Sequence, residues 1–143
     1  MKLTQLKKII KEEIKKVLSE TVDNMPQLIK EMPYTITREG TFMAAYFGEN
    51  ALRYRSREYP NINDGDEVLE MHIDIQPKDQ GKGLAEKMIK VFLYKEGGVA
   101  FFNHNRITNP AVYKVFDKIA TDPKWLVQEE EYGSLAGITI QEK

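Results

Sequence analysis

The run Pro77-Lys78-Asp79-Gln80-Gly81-Lys82-Gly83-Leu84-Ala85 holds the residue types and spacing best suited to chemistry. Two glycines one residue apart let the backbone reach positive φ and let a bulky anion approach the main chain, while Ala85 keeps the first turn of a following helix narrow. Where such a turn opens a helix, successive free N–H groups and the helix dipole form a seat for phosphate oxygens. Lys82 adds a positive charge at the rim. A glycine pair also serves simply to turn the chain, and both uses stay open on this pattern alone. Other nucleotide motifs fit less well. A P-loop needs Ser or Thr after Gly-Lys, and here Gly81-Lys82 is followed by Gly83. A dinucleotide fingerprint wants Gly or Ala where Glu86 stands, within a repeated parallel βαβ sheet that these hairpin-like strands do not suggest.

Several chemistries are ruled out or weakened by composition. The 143 residues contain no Cys, which excludes a thiol nucleophile, a disulfide framework and any cysteine-zinc site. Only His72 and His104 supply imidazole, without the spacing of a zinc centre, so no metal is expected. Ser19, Ser56 and Ser134 all lie outside any G-x-S-x-G elbow. Twenty-one basic residues against 22 acidic ones argue against a nucleic-acid binder that works by phosphate neutralisation. The charge is nonetheless uneven: residues 1–20 carry six Lys against three Glu, and Glu129 to Glu131 form an acidic run. No segment approaches the ~18 apolar residues that span a bilayer, and the N-terminus alternates charge where a signal peptide would be apolar. A cytoplasmic protein with no membrane partner is the expectation.

These residues need elements to position them. Leu3, Leu6, Ile10, Ile14 and Val17 recur at helical spacing, which predicts an amphipathic helix over residues 1–22, with one further domain over 23–143. Asp23 and Asn24 offer caps for a short helix from Pro26 to Glu31, closed by Pro33. Tyr34 to Thr37, Thr41 to Phe47 and Ala51 to Arg57 read as strands, the last two a hairpin about Gly48-Glu49-Asn50. From Val68 to Ile75 the pattern alternates: Leu69, Met71, Ile73 and Ile75 share one face, Glu70, His72 and Asp74 the other. The glycine turn then leads into a helix carrying Leu84, Met88, Val91 and Phe92, ended by Gly97-Gly98. Val99 to Asn103 reads as a strand, Asn109-Pro110 as a capped helix start running to about Ile119, and Trp125 to Gln128 with Leu135 to Ile140 as an antiparallel closing pair.

The segment from Ile75 to Ala85 resembles motif A of the GNAT superfamily of N-acetyltransferases, a hydrophobic residue and proline ahead of Q/R-x-x-G-x-G/A, matched at Gln80, Gly83 and Ala85 with Gly81 at a position often glycine. Asn109 to Ile119 looks like motif B, the Asn-led helix beside the thiol end of acetyl-CoA, and one helix and one strand separate the two blocks. The resemblance covers residues 67 to about 120. It implies an α/β (α+β) fold with a mixed, mainly antiparallel central sheet flanked by helices, and acetyl-CoA as cofactor. The amides of Gln80, Gly81, Lys82, Gly83, Leu84 and Ala85 would hold the pyrophosphate. The strand edge at Ile73 and Ile75 would splay to pair with pantetheine, and Asn109 would touch the pantetheine arm, although a plain helix cap explains Asn109 equally well.

The resemblance also implies an acetyl transfer to an amine on a small molecule or a protein. Without Cys, direct attack in a ternary complex is more natural than an acyl-enzyme. Glu70 is the first candidate for the general base, His72 the second and Asp74 the third. Phe116 stands where family members place the tyrosine that protonates the leaving thiolate, and is counted with the cofactor contacts. Tyr113, one turn earlier, is the candidate substitute, with plain packing as the competing role. The family begins with a strand and then two helices, whereas here helices come first: either that strand is missing or residues 1–22 are an addition, which suits homo-oligomer contacts. A catalytically silent CoA-binding or assembly module of the same fold is the alternative. Glu129 to Glu131, Asp64 and Asp66 hint at a cationic acceptor, with solvated surface as the default.

Overall fold

Period-two alternation of apolar and polar residues produces strands along most of the chain, and two longer 3.6-period stripes produce helices between them. The computed structural model describes residues 25–143, so the expected N-terminal helix, the domain division at residue 22 and any self-association through that helix lie outside the described residues. Among these residues the order is α1 (Met25–Glu31), β1 (Thr35–Glu39), β2 (Phe42–Phe47), β3 (Asn50–Glu58), β4 (Glu67–Asp74), α2 (Leu84–Glu96), β5 (Ala100–Asn103), α3 (Val112–Ala120), β6 (Trp125–Tyr132) and β7 (Leu135–Glu142). The strands form one sheet in the order β1-β2-β3-β4-β5-β7-β6. Every neighbouring pair is antiparallel except β4 and β5.

This is the mixed, mainly antiparallel architecture that the resemblance implies. The first described strand follows a helix, and β1 joins β2 through a tight turn at Gly40 and Thr41, with no helix between them. Helix α2 stops where Gly97, at φ 75°, donates its N–H to the Leu93 carbonyl at 2.8 Å, the glycine ending expected from sequence. Helix α3 begins later than expected. Asn109 Oδ1 accepts from the Ala111 N–H at 3.0 Å and its carbonyl from the Val112 N–H at 3.2 Å, so residues 109–111 form a capping turn before the regular helix.

The two faces of the sheet are covered differently. On one face Ala45, Leu52, Met71, Ala100 and Ile140 meet Met25, Leu28, Met88, Phe92, Phe116 and Ile119 from all three helices in a single core. The other face has a smaller cluster of Ile62, Val68 and Phe101, flanked by Tyr59, Val99 and Leu135. Here β7 pairs tightly alongside β5. A Cβ at Gly137 would lie 2.4 Å from the Phe102 carbonyl oxygen and 2.5 Å from the Phe101 ring, so glycine is required at this point of the pairing. A buried ion network ties the helices together. Lys90 Nζ donates at 2.9 Å to both Glu86 Oε1 and Asp122 Oδ2, and Lys118 Nζ reaches Glu86 Oε2 at 3.0 Å. Burial alone would lower the Lys90 ammonium, but the bonds to Asp122 and Glu86 outweigh it and raise its pKa above the ordinary lysine value.

Candidate functional site

Parallel pairing between β4 and β5 covers only Leu69 with Ala100 and Glu70 with Phe101. Beyond that point β4 continues to Asp74, still paired to β3 through Tyr54, Arg53, Leu52 and Ala51, while its other edge parts from β5. Backbone groups on this edge are therefore open to a ligand that pairs like a strand. A groove of about 480 Å³ starts here. It runs past Ile73 and Ile75 to Gln80, Gly81, Gly83, Leu84 and Ala85, and its far wall is Asn109 and the first turns of α3.

The turn that closes the groove is built by local bonds. Pro77 to Asp79 form one 3-10 turn. Asn50, buried at the start of β3, accepts from the Gln76 N–H at 2.7 Å and donates to Asp79 Oδ2 at 3.0 Å, pinning the turn to the β2–β3 hairpin. Gln80 Nε2 donates to the Ile75 carbonyl at 3.1 Å. Gly81 and Gly83 then take φ of 77° and 72°, where a side chain would be strained. A Cβ on Gly81 would meet nothing within 4 Å among the described residues, which leave the space over the turn open. Among the described residues the Gly81, Lys82 and Gly83 amides donate to no protein acceptor, leaving three donors at the mouth of a 13-residue helix. These donors and the open space fit a diphosphate. Lys82 lies at the rim, its ammonium 3.7 Å from Asp79, with most of the side chain in water.

Two further spaces adjoin the groove. A small gap of about 50 Å³ lies in the fork between β4 and β5, and a cavity of about 370 Å³ opens on the less covered face, lined by Phe42, Arg53, Glu70, Met71, His72 and Arg106. His72 lines all three. Its imidazole is 43% exposed, with Nε2 3.3 Å from Asp74 Oδ1; Asp74 in turn takes Nη1 of Arg53.

The base candidates thus separate. Glu70, expected beside His72 and Asp74 on one strand face, does share that face but is buried and fully engaged. Arg55 donates to Oε1 from Nε at 3.0 Å and Nη2 at 2.8 Å, and the Tyr59 hydroxyl donates to Oε2. Burial would raise the Glu70 carboxyl, but these bonds, with the charges of Arg55 and Arg106, outweigh it and hold the group below the ordinary carboxylate value of 4.5. A carboxylate held this way is a weak base and a strong structural anchor.

The aromatic candidates lie off the groove. Phe116 is 2% exposed, with its ring 4.8 Å from that of Phe102, so it packs the core and offers no surface to a ligand. Tyr113 stands edge-on to Phe116, and its hydroxyl bonds His104 Nδ1 at 2.7 Å; His104 Nε2 meets Glu129 Oε1 at 3.1 Å. The groove's lining on α3 is instead Val112, Lys114 and Val115. Asn109 caps with its oxygen and still lines the groove, leaving its amide nitrogen to meet a ligand. The acidic run divides as well: Glu129 holds His104, Glu130 accepts from the Asn63 N–H at 2.9 Å, and all three glutamates stand on β6, at the sheet's far edge. The arginines at the cavity are absent from the sequence expectation. The alternation Arg53, Arg55, Arg57 on β3 was the signal for Arg53, and Arg106 had none.

Among the described residues no group of acidic, His or Cys side chains is arranged to hold a metal, and no helix is long and apolar enough to cross a membrane. The forked sheet with a glycine turn at the mouth of α2 defines a GNAT-like fold. The chain is similar to a solved structure, that of the Bacillus subtilis N-acetyltransferase YlbP protein in complex with coenzyme A, with a TM-score of 0.50 and 13% identity over 72% of this chain and 68% of that one. No protein-family model matches the chain, and no curated protein matches it in sequence.

Proposed function

We propose that the protein is an acetyl-CoA-dependent N-acetyltransferase that moves an acetyl group directly to an amine in a ternary complex. One observation carries the reading: β4 leaves β5 beside the glycine turn that opens α2, and His72 lies where the resulting groove meets a separate cavity. When bound, acetyl-CoA supplies a thioester whose C–S bond breaks as the amine forms its N–C bond. The Gly81, Lys82 and Gly83 amides hold the diphosphate, and the free β4 edge at Ile73 aligns the pantetheine arm. His72 accepts the proton of the attacking amine. Imidazole is the side chain suited to proton exchange, and Asp74 Oδ1, 3.3 Å from Nε2, orients the ring. The Asn109 amide closes the groove near the thiol end.

A second reading has its own support. Among the described residues no phenol lines the groove, since Phe116 is buried and Tyr113 is turned to His104, so none of them sets a tyrosine acid beside the departing thiolate. This favours a CoA-binding module without turnover. Thiol release measured across a panel of amines separates the two. Turnover that falls at least about 100-fold in His72→Gln, with acetyl-CoA still raising the melting temperature, supports the enzyme. Binding without release for any amine selects the module.

A further inference from the structure

The 370 Å³ cavity has an unbalanced wall. Glu70 is already saturated by Arg55 and Tyr59, yet Arg106 is also directed at it, with Nε 3.7 Å from Oε1 and beyond hydrogen-bond reach. Arg53, the other cavity arginine, is committed to Glu39, Asp74 and the Tyr46 hydroxyl. Arg106 makes no hydrogen bond among the described residues and is 55% exposed. It belongs to the 3-10 turn His104–Arg106 that follows β5, whereas His72 is on β4, and both residues line the cavity and the gap in the fork. A proton acceptor and a guanidinium that makes no hydrogen bond among the described residues thus face one small space from the two arms of the fork.

A guanidinium is a planar fork of donors matched to carboxylate and phosphate oxygens, and one left without a full partner at a cavity wall is poised to take an anion. We propose that Arg106 binds an anionic group on the acceptor, so that the acceptor is a small amine carrying its own carboxylate or phosphate. This rests on the acetyltransferase reading for the fate of the amine, but the anion site stands on Arg106 alone. It replaces the cationic acceptor suggested by Glu129 to Glu131, which stand on the distant edge strand.

Calorimetric titration of the full chain, with and without CoA, tests the proposal using matched ligands: phenylalanine against phenylethylamine, and phosphoethanolamine against ethanolamine. The pair that shows a preference identifies the anion as carboxylate or phosphate. The expected result is that the anionic member of one pair binds at least about tenfold tighter, that Arg106→Gln reduces this preference to about twofold or less, and that Arg106→Lys retains part of it. Equal binding within both pairs, no binding by either anionic ligand, or a preference that survives Arg106→Gln in a protein that melts normally overturns it. Should acetyl-CoA fail to bind while the preference holds, the acetyltransferase reading falls and the anion site stands. Turnover of amines without an anionic preference overturns the anion site alone.

Discussion

The two faces of the sheet use charge in opposite ways. On the helix face Lys90, which is 1% exposed, and Lys118 balance the buried carboxylates Glu86 and Asp122, and the network binds α2 to α3 and to the turn before β6. On the other face a buried carboxylate, Glu70, is surrounded by more cation than it can use, and the surplus faces a cavity. A balanced buried network mainly fixes helix packing, whereas an unbalanced one at a cavity leaves capacity for a ligand.

The contrast is broken most forcefully at Lys90. Replacing Lys90 by Met leaves Asp122 and Glu86 buried with much of their countercharge gone, and is expected to cost about 3–5 kcal/mol in denaturant unfolding. If the faces are separate, anion binding at the Arg106 cavity by the folded fraction is unchanged. His72→Gln is the mirror experiment: melting within a degree or two of the parent and a turnover loss of at least about 100-fold, equivalent to about 2.7 kcal/mol in the barrier.

Next in size is Gly81→Val. A β-branched residue at φ 77° costs about 1–2 kcal/mol and covers the amides of the turn, so the stabilisation by acetyl-CoA at 100-fold excess over Kd, about 2.7 kcal/mol, should vanish. The smallest effects are read from pH. The Glu70 carboxyl is depressed in the folded state, so its contribution is present above the ordinary carboxylate value and is lost as pH falls through the folded one. Lys90 is raised, so its contribution is present below the ordinary lysine value and is lost as pH rises through the folded one. Glu70→Gln should therefore flatten the acid limb of a stability profile and leave the alkaline limb intact, with a loss of about 1–3 kcal/mol at neutral pH. A change in both limbs would mean that the faces are coupled.

Much of this was legible in the sequence because its signals are local. The alternation from Val68 to Ile75, the glycines at 81 and 83, and Gly97 after the α2 stripe each specify backbone geometry within a few residues, and the strand, the turn and the helix end follow. What could not be read depends on register. Glu70 looked like its neighbours His72 and Asp74 because period two assigns a face without saying what lies across it; only the pairing of Glu70 with Arg55 on β3 and Phe101 on β5 makes it an anchor. Tyr113 was ambiguous for the same reason, since its partner His104 comes from the preceding turn and is fixed by Glu129 on β6. Arg106, in a short turn with no periodic pattern around it, gave no signal at all.

The close pairing of β7 with β5 at Gly137 has a consequence for descent. Because Gly137 leaves room for the Phe101 ring and the Phe102 carbonyl, a lineage can enlarge position 137 only after shrinking position 101 and easing the strands apart. The two sites are bound to change together or not at all, and among homologues they should covary, with an aromatic at 101 accompanying glycine at 137.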